Sequence, residues 1–137
     1  MNIIADTNVL LRGALADEPH QSAAAARVLR QAELIAVPIA ALCEFVWVLR
    51  RGYKWPAEQV AQSLRALLAS PSVVTDQPAA EAGLRMLEAG GDFADGALHY
   101  EGEWLGGQEF VSFDRRAVTL LQAQGKQARL LGTAEKV

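Results

Sequence analysis

Two rhythms of apolar residues alternate along this chain. Short runs rich in β-branched residues, of which Ile3-Ile4-Ala5 is the first, are separated by longer stretches where apolar residues return every three or four positions. The first run reads as a buried strand that stops at Asp6, and Val9 to Ala16 then reads as a short helix. Asp17-Glu18-Pro19 breaks it, and the Ala-rich segment Ser22 to Ala32 is a good helix. Leu34 to Val37 is a second strand, and Pro38 opens a helix from Ile39 to about Arg51, ended by Gly52. Trp55-Pro56 starts another helix, with Val60, Leu64, Leu67 and Leu68 at helical spacing. After the turn Ser70-Pro71-Ser72 come a third strand, Val73 to Thr75, and a helix that Asp76 and Pro78 open and that runs through Leu84 and Leu87. Gly90-Gly91 and Gly106-Gly107 bracket a helix from Asp92 to about Trp104. Phe110 to Ser112 is a fourth strand stopping at Phe113-Asp114; Val118, Leu120 and Leu121 belong to a helix ended by Gly125; Ala128 to Leu131 is a fifth strand. The tail from Thr133 to Val137 is expected to fray.

Strands alternating with helices predict an α/β fold, a three-layer α/β/α sandwich around a central, mainly parallel sheet of four to five strands. With 137 residues and no linker or internal repeat, a single domain over 1–137 is expected. In such sheets the carboxyl ends of strands face the crevice where ligands bind. Asp6 would point there from the first strand and Asp114 from the fourth. An acid at such a place is either a helix N-cap or part of a reactive site.

Two further positions carry acids. Glu44 interrupts the apolar run Ile39 to Leu49, and a helix apolar on all other faces is expected to be buried, with the carboxylate inside it. A buried carboxylate takes a partner, a metal or a proton; the bland partner is an arginine from elsewhere in the chain. Asp92 and Asp95 lie three apart and share a helix face. After Gly90-Gly91, Asp92 is a natural N-cap, which leaves Asp95 free to face the crevice.

Composition narrows the chemistry. The chain is 51% hydrophobic and 21% charged, which fits a globular protein and not a disordered one. No apolar run reaches the ~20 residues of a membrane span, and no secretory signal is evident. The single cysteine, Cys43, rules out an intrachain disulfide and agrees with a cytoplasmic location. A net charge of −3 weighs against a broadly basic nucleic-acid surface, but Arg50, Arg51 and Lys54 cluster locally, as do Arg115 and Arg116. Each cluster also reads as a solvated face or a helix end that favours cations. One cysteine with His20 and His99 makes no zinc set, and no phosphate-cradling glycine motif is present. Asp6, Glu44, Asp95 and Asp114 would repel one another if they converged unaided. Hard divalent cations require that kind of oxygen-only cluster, and the reaction that fits is attack of metal-activated water on a phosphodiester.

The words IIADTNVLL, AALCEFVWVL, GGDFADGALHY and FVSFDRRA occur in this order and span nearly the whole chain. By them the chain resembles the PIN-domain ribonucleases, and among these the VapC-type toxins of type II toxin–antitoxin pairs. The resemblance implies a metal-dependent endoribonuclease that uses Mg²⁺ or Mn²⁺ and cleaves tRNA or ribosomal RNA. It implies Asp6, Glu44 and Asp95 as the core catalytic and metal-binding acids, with Asp114 as a fourth. Thr7 and Ser112 match supporting hydroxyls, Asn8 belongs to the same word as Asp6, and Asp92 matches an extra acid. It also implies a homodimer and a small VapB- or FitA-like antitoxin that blocks the cleft. Gly96 departs from the pattern, where Ala is usual, and Glu101-Gly102-Glu103 places acids at a helix end expected to be apolar.

Arg12, Arg115 and Arg116 are candidates for holding RNA phosphates, because guanidinium matches phosphate geometry. Cys43 and His99 read as structural residues, and Trp47, Trp55 and Trp104 as packing or interface residues. Two other readings stay open: a catalytically silent nucleic-acid-binding module of the same shape, and a receiver-type phosphoacceptor domain. The receiver would want an acid pair beside the first strand and a target Asp after a central one, whereas the second strand ends in Val37-Pro38.

Overall fold

Every strand pairing in the computed structural model, which describes residues 1–132, is parallel. Parallel strands need crossovers, and here each crossover carries at least one helix. The fold is α/β, with five strands and seven α-helices among the described residues. The frayed tail expected at Thr133 to Val137 lies outside them.

The chain groups into two compact units, 1–80 and 81–137. The first contains β1 (Asn2–Ile4), α1 (Thr7–Ala14), α2 (Pro19–Gln31), β2 (Leu34–Ala36), α3 (Ile39–Trp47), α4 (Ala57–Ala69) and β3 (Val73–Val74). Strand β2 lies between β1 and β3, with Ile3 opposite Ile35 and Ala36 opposite Val74. Central β2 buries Ile35, and Val37 just beyond it is buried too. Strand β1 is not the buried strand its composition predicts: it lies at the edge of this sheet, and Ile4 is 79% exposed. The core is closed by Leu10, Leu42, Phe45, Leu49, Val60 and Leu64.

Pro19 does not merely break the chain; it occupies the first turn of α2, where a missing N–H costs nothing, and Glu18 caps the amides of His20 and Gln21. Past Trp47 the helical hydrogen bonds lengthen into a π-helical turn, Val48–Gly52, instead of continuing as α-helix to Arg51. Arg50 sits in that turn and donates to the Trp55 carbonyl at 3.0 Å, a cation at a helix end.

The second unit holds α6 (Phe93–Trp104), β4 (Phe110–Ser112), α7 (Arg115–Ala123) and β5 (Ala128–Leu130), with β4 paired to β5. Helix α5 (Gln77–Glu88) contributes Leu84, Met86 and Leu87 to a core shared with Phe93, Val118 and Leu121. Glycines set the approach of α5 and α6: a Cβ on Gly83 would lie 2.6 Å from the Phe93 ring, and one on Gly96 would overlap the Ala82 carbonyl oxygen.

Candidate functional site

Asp6 follows β1 and occupies the N-cap position of α1 in an extended conformation, but its side chain makes no capping bond. The commonest structural role of an acid there is unused, and its exposed carboxylate stays free for other work. The next residue, Thr7, is buried and donates its hydroxyl to Glu44 Oε1 at 2.8 Å. This bond links the first turn of α1 to the middle of α3, two helices that pack together.

Glu44 is not buried. Ala40, Glu44, Trp47 and Arg51 are all exposed, at spacings of four, three and four, so they form one stripe on the outer face of α3 and its π-helical extension. Apolar residues fall on that stripe too, which is why composition alone suggested a helix buried all round. The carboxylate therefore needs no buried counter-charge, and the bond it accepts comes from Thr7 and not from an arginine. Asn8 is exposed on the first turn of α1.

In the second unit three acids serve helix starts. Asp92 caps α6, accepting from the Ala94 amide at 3.2 Å. Asp114 caps α7 through Oδ1, which accepts from the amides of Arg116 at 3.0 Å and Ala117 at 3.2 Å. The Asp114 amide in turn donates to Ser112 Oγ at 2.9 Å, so the strand end and helix start are tied by side chains on both sides of Phe113. Asp95 lies in the first turn of α6 and is half-buried. Burial, then the charges of Asp92 and Asp114, push its pKa up to about 6. An acid held among other acids and partly out of water is a common mark of a functional position, because stability alone disfavours it.

The basic candidates differ in freedom. Arg12 donates to Asp17 Oδ1 at 2.7 Å and to the Tyr53 hydroxyl at 3.2 Å, and Tyr53 closes the triangle by donating to Asp17 Oδ2 at 2.9 Å. Arg116 donates through Nε to the Gly90 carbonyl at 2.8 Å. Arg115 is exposed and has no hydrogen-bonding or ionic partner among the described residues. Of the tryptophans read as packing or interface residues, Trp47 is 55% and Trp104 77% exposed, while Trp55 is half-buried. His99 is buried against the Phe110 ring.

Carboxylate oxygens are the donors a hard cation takes, and Asp95 is destabilised as an anion in a way that a bound positive charge would relieve. Among the described residues, no three or more His, Cys, Asp or Glu side chains form a group that could hold a metal ion. No helix there is long and apolar enough to cross a membrane.

A family model described as PIN domain matches residues 3–119. No curated protein matches the chain.

Proposed function

The chain belongs to the PIN domain family, a nuclease-type fold, and from that premise we propose that it is a divalent-metal-dependent endoribonuclease acting in the cytoplasm as the VapC-type toxin of a type II toxin–antitoxin pair. The observation that carries this reading is Asp95: half-buried, flanked by the charges of Asp92 and Asp114, and with its pKa pushed up to about 6. Such a carboxylate weakens the apo fold and gains a purpose when a cation binds.

Asp6, Glu44, Asp95 and Asp114 would hold Mg²⁺ or Mn²⁺, which when bound supplies positive charge to the phosphate and lowers the pKa of a coordinated water. The chain's own residues prepare for this. Thr7 fixes one oxygen of Glu44, which limits the rotamers the carboxylate samples. Asp114 has Oδ1 taken by two amides and keeps Oδ2 to hold the ion or orient water. Asp92 caps α6 and adds negative field at Asp95. Arg115 and Arg116 would neutralise RNA phosphates; Arg12 would join them only by leaving Asp17 and Tyr53. The substrate is tRNA or ribosomal RNA. A VapB- or FitA-like antitoxin and a second copy of the chain are the partners that go with this reading.

The test is cleavage of total RNA by the purified protein with Mg²⁺ or Mn²⁺, followed by sequencing of the new ends. Asp6→Asn, Glu44→Gln, Asp95→Asn and excess EDTA should each abolish cutting. Full activity in any of the three variants would remove that residue from the site. Growth inhibition that survives Asp6→Asn would point to a silent binding module instead.

A further inference from the structure

Phe113 stands between Ser112 and Asp114 with 77% of its surface exposed. Single exposed apolar residues are ordinary and need no explanation. This one has three unusual neighbours. The backbone on its C-terminal side is pinned, because Asp114 gives its amide to Ser112 Oγ at 2.9 Å and takes two amides of α7 on Oδ1. The ring edge lies near Gly132: a Cβ there would fall 3.2 Å from Phe113 Cδ1 and 3.3 Å from Cε1. Gly132 has φ +103°, a conformation that also calls for glycine. Beyond Asp114 comes Arg115, an exposed cation with no partner among the described residues. An exposed aromatic ring, a carboxylate and an exposed guanidinium therefore follow one another along three consecutive residues.

We propose that Phe113 is a base-stacking platform, the subsite for an unpaired nucleobase beside the phosphate that Arg115 engages. The inference rests on the nuclease reading and adds a substrate contact to it. An aromatic ring held on a pinned backbone loses little freedom when a base lies on it. Stacking also asks for a base whose face is open, which a base inside a duplex does not offer. Trp47 stands in a similar relation to another proposed acid: it is exposed on the same stripe of α3 as Glu44, one turn later. An exposed aromatic beside an acid proposed to hold the metal thus occurs twice, in separate parts of the sequence.

Binding of a short fluorescein-labelled single-stranded RNA, read by anisotropy in EDTA so that no cutting occurs, tests this. Phe113→Ala and Phe113→Leu should each weaken binding by about tenfold, whereas Phe113→Trp should hold it, because stacking needs a ring and not merely apolar volume. Binding of a duplex of the same length should not change in any of the three. Arg115→Ala should instead lower the slope of log affinity against log salt by about 1, a change that the Phe113 variants should not show. Leu restoring what Ala loses, or equal losses on single strand and duplex, would overturn the stacking role. So would unchanged binding by Phe113→Ala, and the nuclease reading would then still be judged by the cutting assay with Asp95→Asn. Absence of any RNA binding by the unaltered chain would overturn both.

Discussion

The hydroxyl of Thr7 donates to Glu44 Oε1 at 2.8 Å across a sequence separation of 37 residues. Thr7 is itself buried, so the bond is made from a fixed donor to an exposed acceptor. A carboxylate held in this way meets a cation without first giving up rotamer freedom. Thr7→Val keeps the shape and removes the donor; it should weaken Mn²⁺ binding about 10- to 100-fold, the usual effect of losing an outer-shell partner. Thr7→Ser should retain most of the affinity. Calorimetric titration of the apo protein measures both, and equal affinity in Thr7→Val would show that the bond does not orient a ligand.

Asp95 links the site to stability through pH. Its pKa is raised from 3.8 to about 6 by burial and by the charges of Asp92 and Asp114. An acid whose folded-state pKa lies above its unfolded value binds a proton more tightly when folded. Its stabilising contribution is therefore complete below 3.8 and is lost as pH rises through about 6. In EDTA, Asp95→Asn should melt higher than the unaltered chain at pH 7 to 8, and the gain should vanish toward pH 4. The same variant should be inactive. A substitution that stabilises the fold while ending the reaction is what a functional acid predicts. A lower melting temperature for Asp95→Asn at pH 8 would mean that the carboxylate is structural.

Much of this architecture can be read along the chain, and the exceptions have physical causes. Phe110 to Ser112 carries the same bounds in sequence and structure, because a short apolar run between Gly-rich and acidic ends leaves little choice. Capping by Asp92 and Asp114 is a local matter, decided within three residues. The edge position of β1 is not local, since strand order and not composition decides which apolar run is covered. The exposure of Glu44 and Trp47 was hidden because Ala40 and Trp47 count as apolar although both lie on the outer face. The π-helical turn at Val48–Gly52 leaves no periodic signature that a short segment could show. The Thr7–Glu44 bond joins distant segments, and only the family resemblance, not spacing, brought those two residues into one site. The free state of Asp6, at an N-cap position without a capping bond, also needs coordinates to be seen.

Gly96 offers a contrast between propensity and packing. Glycine inside a helix is about 1 kcal/mol worse than alanine, so propensity alone favours Gly96→Ala. In the structure a Cβ there would overlap the Ala82 carbonyl oxygen and lie 2.9 Å from Met86 Cβ. Backbone does not give way as a flexible side chain would, and overpacking of this kind costs roughly 1–3 kcal/mol. Gly96→Ala should therefore be less stable in urea unfolding, and its shift of α6 should carry the neighbouring Asp95 out of place and lower the cutting rate. A stabilised and fully active Gly96→Ala would mean that the α5–α6 approach is looser than the structure shows.

Metal binding should itself be visible in the fold. Asp95 is disfavoured as an anion partly by Asp92 and Asp114, and a cation held at these acids would offset that repulsion. A ligand that binds only the folded chain raises stability in proportion to the logarithm of its concentration over Kd. Melting temperature should rise with Mg²⁺ or Mn²⁺ at pH 8 and return to its starting value with EDTA. The rise should shrink as pH falls below about 6, where protons compete for Asp95. Asp95→Asn, already relieved of the charge, should show little rise at any pH. Ca²⁺ provides the control for site size, since it prefers longer bonds and more ligands than Mg²⁺. A melting curve that ignores millimolar Mg²⁺ and Mn²⁺ at pH 8, in a protein shown to be folded, would count against these carboxylates as a metal site.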